Sequence, residues 1–152
     1  MTVRTKTNRS KFWDSLVKGK QPELSVDVGV IGEDTSKRAK SDPTVTVADV
    51  ALWNEYGLGR PQRSFLREYL SENADKIQKF VSSQMKKIAG GSGSLKQALD
   101  RAGVHMVGGV QRRISAGIPP ENKPATIRRK GSDTPLIDTG QLRSSITSRS
   151  NV

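Results

Sequence analysis

Two amphipathic rows separated by a run of small residues constrain this chain most. From about Ser64 to Ile88, Leu66, Leu70, Ile77, Phe80, Val81, Met85 and Ile88 recur at three- and four-residue steps with charged residues between them. That is the period of a helix with one buried stripe. At 1.5 Å per residue such a helix runs nearly ~40 Å. Gly90-Gly91-Ser92-Gly93 breaks it, and a second helix follows from Ser94, with Leu95, Leu99, Ala102, Met106, Val107, Val110 and Ile114 on one face. It stops near Gly117, with Arg112 and Arg113 at the end where positive charge is favoured.

Apolar stripes of this kind must be covered, and the two ends of the chain supply candidate strands. Leu24 to Val30 alternates apolar and polar residues with period two, the pattern of a strand with one buried face. Ile146 to Val152 alternates in the same way and can pair with it. Between these ends, Glu33 to Thr44 lacks large apolar residues and ends in Asp42-Pro43, so a mobile loop or an extended hairpin is expected there. Thr46 or Asp49 starts a short helix carrying Val50, Leu52 and Trp53, ending at the Tyr56-Gly57 step, and Gly57 to Pro61 is a turn.

Residues 1 to 9 read as a flexible basic arm, and Ser10 caps a short helix to about Val17 bearing Phe12, Trp13, Leu16 and Val17. Gly117 to Pro135 is a Pro-rich basic loop. Beyond it Asp138 and Thr139 stand where a helix N-cap belongs, with Leu142 and Ile146 at i, i+4 spacing. The expected fold class is α+β: two long amphipathic helices packed on a small antiparallel sheet, with long loops and a flexible basic N-terminal arm. The expected division is an arm and short helix over 1–20 and one α+β domain over 21–152.

Charge is the strongest compositional signal. The chain of 152 residues carries 26 Lys and Arg against 15 Asp and Glu, a formal charge of +11, which attracts polyanions without dictating a fold. Two clusters stand out. Arg4, Lys6, Arg9 and Lys11 lie in the arm and the start of the short helix, and Arg128, Arg129 and Lys130 in the Pro-rich loop. Both read either as solvated charge or as interface or DNA-facing residues. At 33% hydrophobic residues the chain is lean for a self-contained globule, which suits a subunit that finishes ordering against neighbours. No apolar run approaches the ~20 residues that cross a bilayer, so no membrane partner is expected, and the N-terminus lacks the apolar core of a signal peptide. Without cysteine there is no disulfide framework and no thiolate metal site.

The case for an enzyme is thin. His105 is the one histidine, at the margin of a helix face, and the carboxylates are scattered. No nucleophile elbow, P-loop or zinc-protease motif occurs. Gly57-Leu58-Gly59 lacks the third glycine of a dinucleotide fingerprint and reads as a turn. Trp13 and Trp53 read as core packing, and aromatics at 5% of residues are too few for a base-stacking surface. No enzymatic activity, cofactor or metal is expected.

Three blocks carry a family resemblance. The first is Val47-Ala48-Asp49-Val50-Ala51-Leu52-Trp53-Asn54-Glu55-Tyr56-Gly57 followed by Pro61-Gln62-Arg63-Ser64-Phe65-Leu66-Arg67. The second is the helix end leading to Pro119-Pro120, and the third is Pro135-Leu136-Ile137-Asp138-Thr139-Gly140-Gln141-Leu142-Arg143-Ser144-Ser145-Ile146. In this order and over about residues 25 to 147 they resemble the tail-completion or neck proteins of tailed bacteriophages. The chain departs from the family pattern at Leu58-Gly59-Arg60 and at Ser64, which affects turn geometry and removes no chemical group. The resemblance implies an assembly role: a homo-oligomeric ring matched to sixfold tail symmetry, between head-completion or connector proteins and the tail terminator or tail tube. It implies a virion location after assembly in the host cytoplasm. A small basic protein making non-specific contact with genomic DNA, or a tail-tube terminator, is the competing reading.

Overall fold

The computed structural model describes residues 24–40 and 42–151. The expected arm with Arg4, Lys6, Arg9 and Lys11, and the helix at Ser10 to Val17, lie outside the described residues. The fold is α+β, built from two small antiparallel sheets and a set of helices.

Strand β1 (Ser25–Gly29) pairs with β4 (Thr147–Asn151), from Ser25 opposite Asn151 to Gly29 opposite Thr147. The first and last described strands are thus joined, as the alternation predicts. Val26 and Ser148 face the long helix α4 (Leu95–Ala116), meeting it at Gly103. Ser150 donates to Asp100 of that helix at 2.6 Å. The opposite face is polar, with Arg149 and Asn151 donating to Asp27. After a 3-10 turn at Gly32–Thr35, β2 (Arg38–Ala39) and β3 (Asp42–Thr46) form an irregular hairpin, the extended option of the sequence reading. Helix α1 (Val47–Tyr56) starts at a Thr46–Asp49 capping box and ends at Gly57 with φ 73°. A Cβ at Gly57 would also lie 2.9 Å from that of Gln62, so both conformation and space require glycine there.

The long helix expected from Ser64 to Ile88 is two helices. Helix α2 (Arg67–Glu72) and α3 (Ala74–Ala89) are separated at Asn73, which has φ −111° and ψ 13°. The Asn73 side-chain amide donates to the Tyr69 carbonyl at 2.9 Å, and its backbone N–H donates there too. The backbone at Asn73 leaves the helical region, so the run breaks while the apolar period continues across it. The second helix is as expected: α4 runs from a Ser94–Gln97 capping box to Gly117 and lies on β1 and β4. Helix α3 packs on α4, where Phe80 and His105 stack with ring centroids 4.3 Å apart.

Two expectations in the last third are corrected. The segment expected as a loop contains α5 (Pro124–Lys130), with Pro124 in the first turn and Gly131 at φ 69° closing it. Proline pre-sets the helical φ at a position whose amide has no partner to lose, so a Pro-rich stretch begins a helix here. Helix α6 (Gln141–Ser144) is not capped by Asp138 or Thr139. Its N-cap is Gly140, at φ 73° and without a side-chain cap. Both Asp138 and Thr139 are exposed, and Thr139 accepts from the Gln141 amide only at 3.4 Å. No atom approaches the place of a Gly140 Cβ, so this glycine serves conformation and not close packing.

The core gathers Val47, Phe65, Tyr69, Val110, Ile114, Ile118, Leu142 and Ile146. Ile114 and Val110 are completely buried.

Candidate functional site

The three motif blocks converge on one junction, organised by two buried charges. Glu55, in the last turn of α1, is 6% exposed. One carboxylate oxygen accepts from Ser64 Oγ at 2.6 Å, Arg67 N at 2.9 Å and Arg67 Nε at 3.1 Å. The other accepts from Phe65 N and Leu66 N, each at 3.0 Å. The first amides of a helix have no partner within it, and this carboxylate supplies one from across the turn. It explains why α2 needs no cap from its own Leu66. Burial pushes the Glu55 carboxyl up, but hydrogen bonds from Ser64, Leu66 and Arg67 outweigh it and hold the group below the usual glutamate range. Arg67 also donates to the Glu55 carbonyl at 2.9 Å and covers the Tyr56 ring, with Cζ 4.3 Å from its centroid.

Arg63 provides the second link. Its guanidinium, on a residue only 8% exposed, donates to the Pro120 carbonyl from Nε at 2.8 Å and from Nη2 at 2.6 Å. Nη2 also points to the Glu121 carbonyl and to Asn122 Oδ1. Arg63 takes part in no salt bridge among the described residues. Its charge is met by carbonyl dipoles, and burial and the nearby Arg60 press its pKa downward. Asn122 in turn donates to the Asp133 carbonyl at 3.0 Å, carrying the junction toward the third block.

The third block enters through packing and one glutamine. Leu142 and Ile146 are buried in the core, and Leu136 and Ile137 pack against it half-buried. Leu136 holds φ 65°, a left-handed conformation that costs a non-glycine residue about 1–2 kcal/mol. Gln141 Oε1 accepts from Lys40 N at 2.7 Å, and its Nε2 donates to the Arg38 carbonyl at 2.8 Å. A side-chain amide thus pairs with the β2–β3 hairpin much as a neighbouring strand would.

Of the residues singled out from sequence, Asn54, Glu55, Phe65, Leu142 and Ile146 are buried in this junction or the core beside it. Gly57 ends α1, Leu66 precedes α2, and Pro119 and Pro120, joined by a cis bond, are exposed apart from the Pro120 carbonyl held by Arg63. Tyr56 is half-exposed, and Trp53, expected in the core, is only partly buried, with Arg60 Cζ 4.9 Å above its ring. The outer side of α1 is apolar as a result: Leu52, Tyr56 and the following Leu58 are each about half exposed.

Arg128 and Arg129 are exposed in the last turn of α5. Lys130 is half-buried and donates to the Thr134 carbonyl at 3.3 Å. Desolvation lowers the Lys130 pKa against the attraction of Asp138, and Arg63 and Arg129 lower it further. Of the expected basic cluster, only Lys130 approaches the junction.

Sequence reasoning did not single out Arg63 or Gln141, and it gave Arg113 a different part. Arg113, expected to serve the end of α4, bridges instead to Glu68 at 2.6 Å and Glu72 at 2.5 Å on α2. The available signal was position: Arg63 and Gln141 both lie inside the quoted motif blocks.

Chemically the junction is a set of satisfied hydrogen bonds. Its acids and bases are occupied with backbone groups, and no cluster of three His, Cys, Asp or Glu residues suited to a metal occurs among the described residues. Beside it lies an open cleft lined by Gly117, Pro119, Glu121, Asn122, Asp133 and Thr134. No helix among the described residues is long and apolar enough to cross a membrane. No family model, curated protein or solved structure matches the chain.

Proposed function

We propose that the chain is a structural protein of the neck of a tailed bacteriophage, one that completes the tail and joins it to the head. The observation that carries the reading is the order of the three motif blocks, together with their use as one interlocked junction. Glu55, Arg63 and Gln141 spend their polar groups on holding backbone segments together, which suits a subunit of an assembly. The apolar outer side of α1, at Leu52, Tyr56 and Leu58, suits a subunit that buries surface against neighbours. In this reading the copies form a ring of sixfold symmetry between head-completion proteins and the tail terminator or tube, in the virion after assembly in the host cytoplasm.

Electron microscopy of lysates from a phage or prophage with an early stop codon in this gene tests the reading. Separate DNA-filled heads and tails, joined when the purified protein is added, are expected. Intact infectious particles without the protein would overturn it. The net charge of +11 favours a second reading, a small basic DNA-binding protein. Salt separates the two: a phosphate-driven complex weakens steeply with salt, whereas a ring held by apolar and backbone contacts persists.

A further inference from the structure

Among the described residues few cations meet a carboxylate, and Arg38, Arg63, Arg101, Arg128 and Arg129 are among those that do not. Lys37, Arg67, Lys96, Arg113 and Arg149 each lie in a salt bridge with a carboxylate. Those of α3 do not. Lys76, Lys79, Lys86 and Lys87 are all exposed, and none forms a salt bridge among the described residues. Lys76 has only a 3.4 Å hydrogen bond to Asn73 Oδ1. At 100° per residue Lys79 and Lys86 lie within about 20° of one line of the helix, with Asp75 and Ser82 on one side of it and Ser83, Lys76 and Lys87 on the other. Asp75 is the one acid in the helix. The inner side, Ile77, Phe80, Val81, Met85 and Ile88, is at least partly buried.

Helix stability does not account for this face. Lys86 and Lys87 stand in the last turn, where the macrodipole favours them, but Lys76 and Lys79 stand near the start, where it opposes them. As an i, i+3 pair of like charges they also repel one another. We propose that the outward face of α3 is a contact surface for the phosphate backbone of double-stranded DNA. Its chemistry selects that partner. Lysines with interspersed serines offer point charges and short hydrogen-bond donors to phosphate oxygens. The face carries no aromatic ring on which single-stranded bases stack and no large apolar residue that enters a lipid headgroup layer. Lys79 and Lys86 lie about 10.5 Å apart along the axis, so each reaches its own phosphates on a duplex.

The proposal does not depend on the assembly reading, because binding to a duplex is measured on the purified chain alone. The test is fluorescence anisotropy of the full chain with a mixed-sequence DNA duplex, between roughly 50 and 200 mM salt. Neutralising two phosphate contacts with Lys79→Gln plus Lys86→Gln is expected to lower the log–log salt slope by about 1.8. Lys96→Gln plus Arg149→Gln, which removes two paired cations, is expected to leave it unchanged. An unchanged slope in the first variant, an equal drop in both, or no binding by the unaltered chain at low salt would overturn the proposal. So would polyglutamate competing as well as DNA at equal charge, since the face would then belong to an acidic protein. Unchanged circular dichroism in each variant separates these results from misfolding.

Discussion

Helices α3 and α4 have the same apolar period and very different surroundings. Helix α4 buries Ala98, Leu99, Ala102, Gly103, Met106, Gly109, Val110 and Ile114. Helix α3 buries only Gln84, and its apolar residues are half-covered. The difference lies in the small residues. Gly103 admits Ser148 and Val26 from the sheet, and Gly109 admits the Tyr69 ring, so neither position has room for a Cβ. A helix approached closely on two sides becomes the centre of the fold, whereas one covered on a single side becomes a layer over it. Periodicity sets which face turns inward; the residues that permit close approach set how deeply the helix is buried.

The largest expected effect breaks the centre. Ile114→Ala, at a completely buried position, should cost about 3–5 kcal/mol, read from the midpoint of urea unfolding. A loss below that of an α3 core variant would reverse the ranking of the two helices. Next is Glu55→Gln, which leaves a buried junction short of acceptors and should cost about 2–3 kcal/mol. Its pH dependence is specific. Because the folded Glu55 pKa is lowered, the carboxylate's contribution is full above the ordinary glutamate range and is lost as pH falls through the folded value. Acid unfolding of Glu55→Gln should therefore be flatter than that of the unaltered chain; equal slopes would show that this carboxylate does not couple to folding.

Ile77→Ala in the outer layer should cost only about 1–2 kcal/mol, since part of the side chain already meets water. A cost equal to that of Ile114→Ala would mean that α3 is as central as α4. Smallest is Lys79→Gln plus Lys86→Gln, expected to change stability by less than about 0.5 kcal/mol. A larger loss would give this face a part in folding.

Both strands of the first sheet, the boundaries of α4 and the Thr46 start of α1 are legible in the sequence because local patterns decide them: alternation, capping residues and glycine stops. The break at Asn73 is not, because the apolar period continues across it and only the backbone conformation of that residue interrupts the helix. Nor is the start of α2 at Arg67. Ser64 is a good N-cap by type, but its hydroxyl donates to Glu55 at 2.6 Å and accepts from the Glu68 amide only at 3.3 Å. Half of the junction is visible as motif order and none of its wiring is. Charge at Glu55 and Arg63 argues for exposure, and only tertiary structure brings the amides of residues 65–67 and the Pro120 carbonyl close enough to hold those charges inside.

The claim that one buried carboxylate welds α1 to α2 is tested most directly by native-state hydrogen exchange at Phe65, Leu66 and Arg67. These amides precede or begin a helix and have no helical carbonyl to protect them. Protection matching that of Val110 and Ile114 in the unaltered chain, and lost selectively in Glu55→Gln, is the predicted result. Exchange as fast as at the exposed end of α3, or protection untouched by the substitution, would contradict it.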